Sequence, residues 1–373
     1  MTNKIYIFTF SRSDYASIKP VIKKLSKSKY NFVVGGSHLS KQFGYTIDEI
    51  IRDNFKIDFK IEYLKKNFIS KSKKQNLLYS HMIKFFDNFF KKNKVKKIFI
   101  VGDRWELIPL VLSAFNLNIK IIHHSGGDYT LGSKDNFYRN IISILSNFHL
   151  VGNVLHKKRL MLLGIEKSLI KVVGEPSIQN EVYKFNKKKN FVLATLYPSD
   201  FEEINYNMQI SNFLKFLKKL DDKIILTLPS IEAGSEFFIK KIKKLKSKKI
   251  EVINSLGADK YNYYMSQAKL IIGNSSSGII EASTYKKPVI NIGNRQTGRL
   301  RCKNVIDCGY QINNLISAYK KVNSKAFLDS IKNIKNPYQD KNSVQKIIRV
   351  ILKKRIKNKY YLVDPLKYLN ELS

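Results

Sequence analysis

The sequence predicts a doubly wound α/β protein built as two successive domains, and three observations predict it. The chain has 373 residues, where a domain usually takes roughly 100–200. Its first half alternates short apolar runs with amphipathic stretches, the signature of βαβ units on a parallel sheet. The same alternation restarts after Gly174-Glu175-Pro176.

In the first half, residues 4–10 read as a strand, 18–26 as a helix and 31–35 as a strand. Residues 43–52 and 80–93 read as helices, 97–101 as a buried strand, 107–116 as a helix and 120–123 as a strand. A turn-rich stretch precedes a helix at 136–146 and a strand at 149–151. In the second half, strands are expected at 190–195, 223–229, 250–253, 270–273 and 288–292. Helices are expected between them at 202–220, 236–246, 260–267 and 278–285. Residues 337–343 break the chain before a last helix at 344–354. The expected domains are therefore 1–176 and 177–373, with the last helices able to pack back on the first. A hinge is expected near 174–189, where Lys187-Lys188-Lys189 reads as solvated. Two such domains facing each other place a ligand cleft between the carboxyl ends of their strands.

Lys and Arg total 68 against 29 Asp and Glu, a formal net charge of +39. The lysines are scattered through Lys/Asn/Ile/Phe-rich segments, not gathered in one block. The charge thus reads as solvated helix faces, with neither nucleic acid nor membrane expected as partner; an anionic small substrate fits it equally well. Only ten of the 68 cations are arginine. Where lysine is the default, an arginine marks a place that uses a planar, bidentate fork. Arg12, Arg104, Arg139, Arg295 and Arg299 each adjoin a turn containing Gly, Ser or an acid. The first apolar stretch, 5–10, is shorter than a signal-peptide core, and no run approaches a membrane span. Two cysteines, Cys302 and Cys308, are too few for a disulfide framework. A soluble, cytoplasmic chain is expected.

The segment 270–281 is the most informative. An apolar run enters Gly273-Asn274-Ser275-Ser276-Ser277-Gly278 and opens a helix that carries Glu281 one turn past Ser277. Amides and hydroxyls at a helix N-terminus suit a phosphate, and a carboxylate there can accept ribose hydroxyls. A plain serine N-cap is the simpler reading of the same residues. Past the next strand, Arg295 and Arg299 are spaced to clamp a diphosphate. Arg12 sits in a strand-to-helix turn, Ser11-Arg12-Ser13-Asp14-Tyr15. Asp103, Asp128 and Asp135 fall at or just past strand ends in the first half, where paired acids can divide into proton donor and acceptor. They can equally cap helices or pair with Arg104 and Arg139. His123 and His124 are strand neighbours pointing to opposite faces, which argues against one metal ion between them. No metal and no cofactor is expected.

Taken in order, the motifs Ser11–Tyr15, Gly36-Ser37-His38-Leu39, Gly102-Asp103-Arg104-Trp105-Glu106, Gly126-Gly127-Asp128, 273–281 and 291–299 form a pattern. With them the chain, from about residue 5 to 310, resembles the hydrolysing UDP-N-acetylglucosamine 2-epimerases of sialic-acid and legionaminic-acid biosynthesis. The resemblance implies a GT-B-like pair of Rossmann-type domains with UDP held between them, and a homodimer. It implies chemistry free of metal and nicotinamide on UDP-N-acetylglucosamine or a UDP-diacetamido-trideoxyhexose. A base removes the C2 proton, UDP leaves from C1, and water adds to the glycal with inversion at C2, in service of nonulosonic-acid or surface-glycan synthesis. It assigns Asp103, Asp128 and Asp135 as the acid/base carboxylates. Ser275, Ser276, Ser277, Gly278, Glu281, Arg295 and Arg299 would hold UDP, joined in substrate binding by Arg12, His38, Arg104 and Tyr197.

The chain departs from the family at several positions. His-x-His-Gly-Gly-Glu is here His123-His124-Ser125-Gly126-Gly127-Asp128. Asn140 and Tyr197 stand where the family has histidines, and Gly174-Glu175-Pro176 replaces Gly-Asn-Pro. Loss of titrating histidines removes proton carriers while the nucleotide motifs stay. A glycosyltransferase of the same fold, or a homologue that binds UDP-sugar without turnover, are therefore the alternative readings.

Overall fold

The computed structural model describes residues 4–41, 45–63, 72–131, 134–178, 190–229, 234–254, 256–353, 356 and 362–368. They form two compact units. One comprises Met1–Asp128, Lys134–Ser177 and Asp340–Ser373, the other Tyr129–Ser133 and Ile178–Gln339. The lysines 187–189 and the start of the helix expected at 43–52 lie outside the described residues.

The first unit runs β1 (Ile5–Thr9), α1 (Arg12–Lys24), β2 (Tyr30–Gly35), α2 (Ile47–Arg52), β3 (Phe59–Ile61), α3 (Ser72–Lys92) and β4 (Lys97–Val101). It continues through α4 (Leu107–Asn116), β5 (Lys120–His124), α5 (Asp135–Leu145), β6 (Phe148–Val151), α6 (Val154–Leu162) and β7 (Ile170–Val172). The second unit runs β8 (Phe191–Thr195), α7 (Tyr206–Lys219), β9 (Lys223–Thr227), α8 (Ser235–Lys243), β10 (Ile250–Ile253) and α9 (Ala258–Gln267). It closes with β11 (Leu270–Gly273), α10 (Ser276–Ile280), β12 (Val289–Ile292), β13 (Val305–Cys308), α11 (Ile312–Val322) and α12 (Lys325–Ser330). The last helix, α13 (Ser343–Ile351), returns to the first unit.

Both sheets are parallel. The first has the order β3-β2-β1-β4-β5-β6-β7, the second β10-β9-β8-β11-β12-β13. Parallel strands covered on both faces must be apolar throughout, and all five residues of β1 and of β8 are buried. The strand period of two divides them between two cores. Ile5 and Ile7 face α1 and α13, whereas Tyr6, Phe8 and Phe10 face Phe86 and Phe90 of α3. In the second sheet Val192 and Ala194 face one core, Phe191 and Leu193 the other. Strand order reverses between β1 and β4 and between β8 and β11, and such switch points leave the carboxyl-end loops room for a ligand.

Several expectations are revised. Residues 340–373, expected within 177–373 with the last helices able to pack back, group with the first unit. Ile347, Val350 and Ile351 of α13 share a buried cluster with Ile18, Val21 and Ile22 of α1. The helix expected at 278–285 is two pieces, α10 and a tight turn at Ala282–Tyr285, with Lys286 left-handed after it. The helix expected from 202 starts at Tyr206, because Asn205 accepts the amide of Met208 and caps it there.

Three histidines belong to the fold itself. His38 is buried, with Nε2 2.9 Å from Thr9 Oγ1 and Nδ1 2.7 Å from Thr46 Oγ1. Both ring nitrogens are thus engaged by protein hydroxyls. His123 Nε2 lies 2.8 Å from the Gly102 carbonyl and Nδ1 3.2 Å from Ser143 Oγ. His124 Nδ1 lies 2.7 Å from Ser125 Oγ and Nε2 3.2 Å from the Gly174 carbonyl. Burial pushes His38 down to about 3, and His123 and His124 to about 4.

Two outcomes are expected. Histidines in the unfolded chain protonate near ~6.5, so below that pH the unfolded state binds more protons and stability falls. The urea midpoint should therefore drop between pH 6.5 and 4; a level midpoint across that window would contradict three neutral buried imidazoles. Ile347→Ala should cost about 2–5 kcal/mol in urea unfolding, and an unchanged midpoint would remove α13 from the core.

Candidate active site

The candidate residues of the first unit sit on loops at the carboxyl ends of its strands. Asp103 follows β4, Asp128 follows β5, Asp135 opens α5 and Arg12 opens α1. Arg139 holds two of them, Asp103 and Asp128. Its side chain is 1% exposed, and a buried guanidinium must find acceptors. Nη2 pairs with Asp103 Oδ2, while Nη1 donates to the Asp128 carbonyl at 3.0 Å and to Asn136 Oδ1 at 2.7 Å. Asp135 lies one helical turn before Arg139 on α5, and so on the same face. Asp103 keeps a quarter of its side chain exposed, whereas Asp128 is buried, with Oδ1 3.3 Å from His156 Nε2. Gly127 holds φ +73° beneath Asp128, and a Cβ there would run into the His156 carbonyl, so the turn requires glycine.

Arg104 has a protein partner of its own. Glu106, buried beside it, takes its fork: Nε to Oε2 at 3.1 Å and Nη2 to Oε1 at 2.6 Å. Burial works against the Arg104 charge, but Glu106 and then Asp14 outweigh it and raise its pKa. Its Nε and Nη2 are held by Glu106. Asp14 in turn accepts the Phe10 amide at 2.7 Å and the Ser11 hydroxyl, and burial raises its carboxyl.

In the second unit the candidates gather around the β8/β11 switch point. Gly273 pairs with Thr195 across it at φ +141°, and a Cβ there would collide with the Thr195 carbonyl. The buried side chain of Asn274 then bridges the two strand ends. Its Oδ1 accepts the Tyr197 amide at 2.7 Å and its Nδ2 donates to the Tyr197 carbonyl at 2.8 Å. The Asn274 carbonyl accepts from Arg295 Nη1 at 3.2 Å and from Gln296 Nε2 at 2.9 Å. The Arg295 guanidinium lies 4.7 Å over the Tyr197 ring, and Arg299 donates to Gln296 Oε1. Arg295, Arg299 and Tyr197 are thereby brought together.

Ser275 occupies the N-cap of α10 without a side-chain bond to the helix amides. Ser277 Oγ lies 3.0 Å from Ser275 Oγ and 3.0 Å from the Tyr261 hydroxyl, and Ser276 is half-buried beside them. Glu281 ends the helix, its amide donating to the Ser277 carbonyl at 3.0 Å. Gly278 meets a packing need: a Cβ would sit 3.2 Å from Val289 Cγ1. Glu202 accepts the Asn294 amide, and burial raises its carboxyl.

Sequence reasoning missed the roles of Asn274, Gln296, Tyr261 and His156. Asn274 stood inside the most informative segment, but its partner Tyr197 is 77 positions away. Among the described residues no group of three or more His, Cys, Asp or Glu side chains gathers as a metal site, and no helix is long and apolar enough to cross a membrane.

Comparison with known proteins bears on the family and the fold. The family pattern described as UDP-N-acetylglucosamine 2-epimerase matches residues 21–352. The chain is 33% identical to the GDP/UDP-N,N'-diacetylbacillosamine 2-epimerase (hydrolyzing) of Campylobacter jejuni, over 94% of this chain and 95% of that one. It is 28% identical to the UDP-N,N'-diacetylbacillosamine 2-epimerase (hydrolyzing) of Legionella pneumophila, over 82% and 85%. Its fold matches the crystal structure of UDP-GlcNAc 2-epimerase from Neisseria meningitidis bound to UDP-GlcNAc with a TM-score of 0.77, at 17% identity, over 94% of this chain and 99% of that one. Two doubly wound parallel sheets with the motif residues on their carboxyl-end loops, and relatives of this similarity along nearly the whole length, make the chain a member of the UDP-N-acetylglucosamine 2-epimerase family.

Proposed function

We propose that the protein is a hydrolysing 2-epimerase that converts a UDP-linked 2-acetamido sugar and water into UDP and the free C2-epimeric sugar. The observation that carries this reading is the grip of one buried guanidinium, Arg139, on Asp103 and Asp128 at the ends of adjacent strands. In this reading the loops of the second unit bind UDP, with Ser275, Ser276 and Ser277 at the phosphates, Arg295 and Arg299 supplying positive charge, and Glu281 accepting ribose hydroxyls. Tyr197 carries the Arg295 guanidinium, and Arg12, at the start of α1, is assigned to substrate binding as well. The carboxylates of the first unit act on the sugar.

Asp103, partly exposed, takes the C2 proton. The C–H electron pair becomes the C1–C2 double bond, and the C1–O pair leaves with UDP. Water then adds its oxygen to C1 as a carboxylate takes its proton. The acid partners, Asp128 and Asp135, return a proton to the opposite face of C2. UDP-N,N'-diacetylbacillosamine is the substrate we place first, because the Campylobacter jejuni relative that matches 94% of the chain carries that name. UDP-N-acetylglucosamine comes second. We assign the product to nonulosonic-acid or surface-glycan synthesis.

Incubation with each UDP-sugar in deuterated water, followed by nuclear magnetic resonance, should show free UDP and a sugar inverted and deuterated at C2. Both UDP-sugars returned intact would overturn the reading. Asp103→Asn should lower kcat by at least about 100-fold with UDP affinity by calorimetry unchanged; full turnover would remove Asp103 from the chemistry. Arg295→Ala should weaken UDP binding by about 10- to 100-fold, the scale of a charge-assisted contact, and unchanged affinity would take UDP away from this loop.

A further inference from the structure

We propose that His156 is a positioning residue that fixes the orientation of Asp128 for proton transfer; this rests on the epimerase reading above. The other buried imidazoles near the candidate carboxylates are committed to scaffolding: His123 to Gly102 and Ser143, His124 to Ser125 and Gly174. His156 is placed otherwise. Its Nε2 lies 3.3 Å from Asp128 Oδ1, with 2% of the histidine and 7% of the aspartate side chain exposed.

Backbone contacts hold the same residue against the same turn. Asn153 caps α6 and accepts the His156 amide at 3.0 Å. The His156 carbonyl fills the space where a side chain on Gly127 would stand. Asp128 is therefore bracketed: Arg139 holds its carbonyl from α5, Gly127 seats its turn on α6, and the imidazole meets its carboxylate. An aspartate places its oxygens through only two side-chain torsions, so a buried ring 3.3 Å from one oxygen limits where the other can point. Sub-ångström placement of a proton-transfer group is worth orders of magnitude in rate and little in binding. Charged or titratable groups near the pair include Arg139, which holds the Asp128 carbonyl, and His124, whose Nδ1 lies 3.9 Å from Glu175 Oε2.

The test compares His156→Phe, which keeps a ring without a donor, with His156→Gln, which keeps a donor, each alone and in an Asp128→Asn background. UDP release, calorimetry with UDP and urea midpoints are the readouts. His156→Phe is expected to lower kcat by about 10- to 100-fold, with KM and UDP affinity within about twofold of wild type. His156→Gln is expected to recover most of the loss. In the Asp128→Asn background neither substitution should lower kcat further, because there is no carboxylate left to orient. Wild-type kcat in His156→Phe, equal losses in Phe and Gln, or an undiminished loss on top of Asp128→Asn would each overturn the inference. Should His156→Phe fail to fold, the His156→Gln pair with and without Asp128→Asn decides it. An unaltered protein that releases no UDP from either sugar nucleotide would overturn the epimerase reading and this inference together, a result separate from every variant outcome.

Discussion

A guanidinium buried to 1% exposure costs several kcal/mol unless its donors are met, and in the first unit that requirement ties the candidate carboxylates together. Arg139 meets it at both terminal nitrogens, with one side chain, Asp103, one backbone carbonyl, that of Asp128, and one amide oxygen, Asn136, while its Nε has no hydrogen-bond partner. The strands bring these groups into range. β4 and β5 run side by side in register, so the loops that follow them emerge together, and α5 packs against β5. Deleting Arg139 would leave Asp103 without its charge partner and the Asp128 turn without its anchor at once. In the proposed reading, chemistry and folding depend on the same contact.

The second unit repeats the topology and solves the corresponding problem without a buried charge. Asn274 pairs with both backbone groups of Tyr197 as a neighbouring strand would, closing the gap opened at the β8/β11 switch point. Its own carbonyl gathers Arg295 and Gln296. A neutral amide suits this place, because the loop it braces presents arginines. A second cation would repel them, and a carboxylate would neutralise them. In the first unit, where carboxylates are to be presented, the organiser is cationic.

What was legible in the sequence follows from what is local. The long apolar strands and the acids at their ends depend on neighbours in the chain, and Asp103, Asp128, Arg295 and the Ser275–Ser277 turn could be read from them. β3 and β7 have three residues each, Phe59–Ile61 and Ile170–Val172, too few for a period of two to declare itself. In α6, Val154–Leu162, three consecutive basic residues blur the apolar stripe. The protein partners of His38 and Arg104 could not be read from their motifs. Thr9 is 29 positions from His38, and Glu106, though only two from Arg104, serves as its partner because both are drawn inward. The Arg139–Asp103 pair spans 36 positions. Such contacts are decided by tertiary packing, which spacing alone does not encode.

The scarcity of arginine in so cationic a chain now has a structural account. Lysine delivers charge to water at low cost, and with 68 cations on the chain most have no further duty. Three of the arginines singled out above do something an ammonium cannot. Arg139 reaches a carboxylate with one nitrogen while another serves two oxygens. Arg104 locks a buried glutamate through two parallel bonds. Arg295 lies flat on an aromatic face while one edge still donates to a carbonyl, an arrangement that needs a planar cation with donors in its plane. A lysine at any of the three would keep the charge and lose the geometry. In this protein, therefore, net charge says little about function, and the choice between two residues of equal charge says a good deal.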